Sequence, residues 1–80
     1  MSSVVPTELT GLVARTLEID ARLVTAQASF ADLGRTSFAE VELINLIEDH
    51  YHITLDFETF LGLETVGALA DAITEASRVG

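Results

Sequence analysis

The stretch Phe30-Ala31-Asp32-Leu33-Gly34-Arg35-Thr36-Ser37-Phe38-Ala39-Glu40-Val41-Glu42-Leu43 decides how the chain folds. Its first part reads as the end of a connection, with Gly34 suited to a turn. Its second part reads as a helix start. Ser37-Phe38-Ala39-Glu40 has the S-x-x-E form of a capping box, in which the serine accepts from an amide one turn on and the glutamate reaches back. The helix is expected from Ser37 to about His50. Phe38, Val41, Ile44 and Ile47 form one apolar stripe, and Leu43 and Leu46 widen it. Glu42, Asn45 and Asp49 line the opposite side, with Glu40 and Glu48 adding charge beside them.

Upstream, the spacing of Leu9, Leu12, Val13 and Leu17 predicts a helix from about Thr7 to Leu17, with Pro6 suited to its start and Gly11 weakening it a little. The connection from about Glu18 to Thr36 carries Val24, Phe30 and Leu33 as core anchors. So long a loop in a small domain points to function. Downstream, Tyr51, Ile53 and Leu55 alternate with His52 and Thr54 in the manner of a strand. A lone strand has nothing to pair with, so an extended loop is expected. A short helix over Phe57 to Leu61, ended by Gly62, and a last helix over about Thr65 to Ser77 complete the chain, with Val66, Leu69, Ala70 and Ile73 inward. The expected fold is all-α: a small four-helix bundle of three main helices and a short one. Residues 1–80 form a single domain, with residues 1–5 and 78–80 as loose ends.

Composition narrows the function. Eighty residues leave room for one domain. Four Lys+Arg against thirteen Asp+Glu give a formal net charge of −9, which disfavours nucleic acid and anionic membranes and favours basic protein partners. A 49% apolar content argues against disorder. No apolar run approaches a membrane span, and Met1 to Val5 shows no signal peptide, so a cytoplasmic location is expected. A monomer is expected as well. With no cysteine there is no disulfide and no thiol of the chain's own.

Catalysis and metal binding find little support. Ser37 as a hydrolase nucleophile needs a base in hydrogen-bond reach, but His50 lies about 20 Å further along the same helix and His52 just beyond it. There is no Gly-x-Ser-x-Gly elbow. His50-x-His52 with Asp49 and Asp56 lacks four convergent ligands. A calcium loop beginning at Asp56 would need glycine and glutamate where Leu61 and Gly67 stand. Glu48-Asp49 reads as a solvated pair of acids. No catalytic residue and no metal site is expected.

The same decisive stretch, however, resembles the phosphopantetheine attachment region of acyl carrier proteins. Asp32-Leu33-Gly34, two residues, then Ser37 and Val41-Glu42-Leu43 follow that pattern, and the likeness continues without gaps through Ile47-Glu48, Ile53-Thr54-Leu55, Leu63, Thr65-Val66, Leu69 and Ile73. The resemblance implies a non-catalytic carrier. A Mg²⁺-dependent phosphopantetheinyl transferase would attach 4'-phosphopantetheine from coenzyme A to Ser37, and the arm's thiol would carry an acyl group as a thioester. It also implies that Glu40, Glu42, Glu48 and Asp49 form the docking face for basic patches on acyl-loading, condensing or modifying enzymes. Leu43, Leu46, Leu55, Phe60, Leu63 and Ile73 would lie near the space for an acyl chain. Phe57 and Phe60 are bulkier than many such proteins carry there. Arg35-Thr36-Ser37-Phe38 departs from the Asp-Ser-Leu of fatty-acid and polyketide carriers, and the Gly-Gly-x-Ser of peptidyl carriers is absent. The expected function is a discrete acyl carrier in polyketide or related specialised metabolism. The alternatives are an aminoacyl or peptidyl carrier and an unmodified acidic interaction module.

Overall fold

A computed structural model describes residues 5–34 and 36–79, with the side chains of residues 37, 78 and 79 outside that description. The chain forms α1 (Thr7–Leu17), a 3₁₀ turn (Ala21–Leu23), α2 (Ser37–Tyr51), α3 (Phe57–Leu61) and α4 (Val66–Val79). In α1, Glu8 in the first turn and Arg15 in the last oppose the helix dipole, and Leu9, Val13 and Ala14 are buried. The helix ends at Glu18 in the left-handed conformation (φ 57°), from which the amide of Ile19 turns back to Ala14 O at 3.0 Å.

The long connection is not slack. Asp20 caps the 3₁₀ turn through Arg22 N–H at 2.9 Å. Val24 and Phe30 are buried, and the Phe30 and Phe60 rings lie 5.7 Å apart. Backbone hydrogen bonds then join this segment to the start of α4. Phe30 N–H donates to Glu64 O (2.9 Å), Val66 N–H to Ala28 O (3.0 Å) and Gly67 N–H to Ala26 O (2.9 Å). Ser29 and Thr65 pair there as an isolated antiparallel bridge. These contacts satisfy amides that a buried loop would otherwise leave unmet. The remaining helix starts follow one rule: Asp56 accepts from Thr59 N–H at 3.3 Å and Thr65 from Ala68 N–H at 3.1 Å.

The core gathers the expected anchors. Val66, Leu69, Ala70 and Ile73 of α4 all face inward, with Leu43, Ile44 and Ile47 of α2 and with Leu55 and Phe60. Two expectations for α2 need correction. Phe38 and Val41 were expected with Ile44 and Ile47, yet they are 79% and 49% exposed. Nine residues at about 100° each place Phe38 half a turn round from Ile47, so both cannot face the core. The buried face is Ala39, Glu40, Leu43, Ile44 and Ile47, and Leu46 falls at its edge, outside the core cluster. At the ends, Val5 packs against the core and α4 runs to Val79. Residues 1–4 and 80 lie outside the described residues.

Candidate functional site

The site begins with a turn. Leu33 is half-buried, and its N–H donates to Ser29 O at 3.0 Å. Ser29 Oγ accepts from Asp32 N–H at 3.3 Å. Gly34 follows with φ +87°, a conformation that L side chains avoid. Arg35 lies outside the described residues. Thr36 is extended (φ −124°, ψ 161°), and its Oγ1 accepts from Ala39 N–H at 3.1 Å.

This geometry corrects the expected capping box. Thr36, not Ser37, is the cap, and Ser37 is the first helical residue. The residue where a box anchored on Thr36 would need an acid is Ala39, and Glu40 turns inward, 8% exposed. A second S/T residue directly before the serine allowed this register, and the presence of Glu40 concealed it. The backbone of Ser37 opens a 15-residue helix, while its side chain lies outside the described residues.

Of the four acids expected on the docking face, Glu42 and Asp49 are exposed there. Glu40 is not. It lies with Leu17, Phe30, Ala39, Leu43 and Phe60 around a narrow gap with no room for water, because position 40 sits on the α2 face that carries Leu43, Ile44 and Ile47. Glu48 sits at the flank, half-buried, and its Oε2 accepts from Leu55 N–H at 2.8 Å. Sequence reasoning missed what accompanies Glu42: Phe38, Val41, Asn45 and Leu46 line a shallow groove with it, just beyond Ser37. A Phe and a Val at spacings shared with Glu42 and Asn45, rather than with Ile47, were the signal.

The residues expected near an acyl space divide. Leu43, Leu55, Phe60 and Ile73 are buried in the core, and Leu63 packs against it half-buried. Leu46 belongs to the outer groove instead. At the far end of α2, His50 Nε2 lies 3.1 Å from Glu8 Oε2, which ties α2 to the start of α1. Burial, with the Glu8 carboxylate added, pushes the neighbouring Tyr51 phenol above its usual range.

The N-terminus of α2 suits a covalently held phosphate ester. Its flanking residues Thr36 and Phe38 are exposed, so the approach is open. The first turn points its amides outward along the axis, and its acid, Glu40, faces the core rather than the approach. No helix among the described residues is long and apolar enough to cross a membrane. The family model described as the phosphopantetheine attachment site matches residues 7–73, a span that takes in α1 to α3, most of α4 and the turn before Ser37. The chain therefore belongs to the phosphopantetheine-binding carrier family, a small all-α carrier domain whose cofactor is covalently attached 4'-phosphopantetheine.

Proposed function

We propose that the arm is attached at Ser37 and that the protein carries acyl intermediates as thioesters for polyketide or related specialised metabolism. The observation that carries the site is the register of the α2 start. Ser37 is the first helical residue of an open helix terminus, and Thr36 supplies the cap, so modification at position 37 leaves that cap in place. The phosphodiester would lie at the positive end of the helix dipole, a position that favours an anion by about 0.3–1 kcal/mol. The arm supplies a thiol to a chain that has no cysteine. The chain's own residues supply position and recognition. Thr36-Ser37-Phe38 departs from the Asp-Ser-Leu of both fatty-acid and polyketide carriers, which supports a carrier with a specialised partner set.

The docking face in this reading is narrower and more apolar than the acids alone suggested. Glu42 and Asp49 provide charge, and Phe38 and Val41 provide apolar contact beside Ser37. A partner enzyme would meet it with a basic rim around an apolar patch. Charge then sets encounter rate and orientation, and a small contact lets the carrier leave. The phosphopantetheinyl transferase is the first such partner, and the location is cytoplasmic.

The test is direct. With coenzyme A, Mg²⁺ and a broad-specificity phosphopantetheinyl transferase, the protein gains the mass of one phosphopantetheinyl group, and Ser37→Ala gains none. An unchanged mass with several transferases would leave an unmodified acidic interaction module as the reading. Loading assays with acyl- and aminoacyl-transferring enzymes then separate an acyl from an aminoacyl carrier.

A further inference from the structure

The link between α2 and α3 is fastened by a side chain. After Tyr51, His52 takes the left-handed conformation (φ 57°, ψ 46°) and turns the chain out of the helix. The chain then runs without helical structure to Asp56, which caps α3. In this link Leu55 inserts its side chain into the core, 6% exposed. Its N–H must find an acceptor there, and the acceptor is Glu48 Oε2 at 2.8 Å. Glu48 lies one turn before the end of α2, so the bond ties the link to the helix that starts at Ser37.

We propose that Glu48 is a positioning residue for the cargo: a latch whose carboxylate holds the link closed and so sets how much of an attached acyl chain the bundle admits. The proposal rests on the carrier reading above. With the latch closed the space beside Phe60 is filled. Phe60 is wholly buried against Phe30, and the gap that these rings share with Leu43 and Leu17 has no room for a water molecule. An alkyl chain can enter on this side if Leu55 and Phe60 withdraw together. They stand at the two ends of one small unit, the link and the five-residue α3. A helix that short has little stability of its own and keeps its place through what fastens it. The fastenings are the apolar burial of Leu55 and Phe60, the half-buried Ile53 and Leu63 packed against the core, and the hydrogen bond to Glu48. The hydrogen bond is the directional one. It fixes the link in one register, and its loss frees the unit without emptying the core.

The experiment compares wild type, Glu48→Gln, which keeps an acceptor oxygen, and Glu48→Ala, which has none. Native-state amide exchange at Leu55 is expected to speed up about tenfold in Glu48→Ala and less in Glu48→Gln, with the Val13 and Leu69 amides remaining the slowest and speeding up no more than the loss of global stability accounts for, as the measure of an intact core. Equal Leu55 exchange in all three proteins overturns the latch. Each protein is then converted to the holo form and loaded with acetyl or octanoyl, and cleavage of the thioester by hydroxylamine is timed. In wild type the two thioesters are expected to be cleaved at similar rates. In Glu48→Ala the octanoyl thioester is expected to be cleaved severalfold more slowly than the acetyl, because the longer chain draws it toward the bundle. Normal loading with an unchanged octanoyl-to-acetyl ratio overturns the gating role alone. If wild type accepts no arm, the carrier reading falls and takes the gating role with it.

Discussion

The two connections that flank α2 are held in opposite ways. The connection before it is joined to the start of α4 by three backbone hydrogen bonds and anchored by the buried Val24 and Phe30. The connection after it has the buried Leu55, the half-buried Ile53 and one carboxylate. Backbone pairing distributes the fastening over several groups, so no single side chain releases it. A side-chain hydrogen bond concentrates the fastening in one group, so one substitution does. If the proposed latch holds, the wall before Ser37 is the firmer and the one behind the helix that Ser37 opens is the more easily released.

The largest effect should come from emptying the rigid side. Phe30→Ala is expected to cost about 3–5 kcal/mol in a denaturant titration. A cost below about 1 kcal/mol would mean that the first connection is no firmer than the second. On the releasable side, Glu48→Ala is expected to cost about 1–2 kcal/mol, the range for a hydrogen bond to a charged group in a half-exposed setting, with Glu48→Gln losing less. A loss matching that of Phe30→Ala would erase the contrast. At the junction of the first connection with α2, Thr36→Ala is expected to cost about 1 kcal/mol and Ser37→Ala only a few tenths. The reverse order in thermal melts would return the cap to Ser37. Smallest, and opposite in sign, His52→Gly is expected to stabilise by about 0.5–1 kcal/mol, because glycine accepts a positive φ without strain. A destabilised His52→Gly would show that the side chain of His52 helps to hold the second connection.

Much of this fold was legible along the chain. The limits of α1 and the end of α3 follow from local signals, Pro6 and the leucine spacing for one and Gly62 for the other, while the Asp56 cap of α3 came from the structure. The inward face of α4 was legible because its apolar residues occupy one narrow side. The inward face of α2 was not. Apolar residues surround most of that helix, at 38, 41, 43, 44, 46 and 47, so hydrophobicity alone does not choose a side. The choice follows from packing, and it buried Glu40, exposed Phe38 and left Leu46 at the rim. The Glu48–Leu55 bond was equally out of reach, since it depends on how the chain leaves α2 at His52. The bridge between Ser29 and Thr65 joins positions too far apart in the chain for any local pattern to announce.

For the site, the sequence by itself determined the segment and the family. The run from Asp32 to Leu43 carries a turn, a serine and an acidic helix in an order that local chemistry and a motif can read. The tertiary structure decided the register and the roles: Thr36 as cap, Ser37 as first helical residue, Glu42 with Phe38 outside, Glu40 inside and Glu48 at the link. Local signals suffice where neighbours in the chain are also neighbours in space. Which side of α2 meets water is settled by the helices packed against the other side, and no residue of α2 alone carries that information.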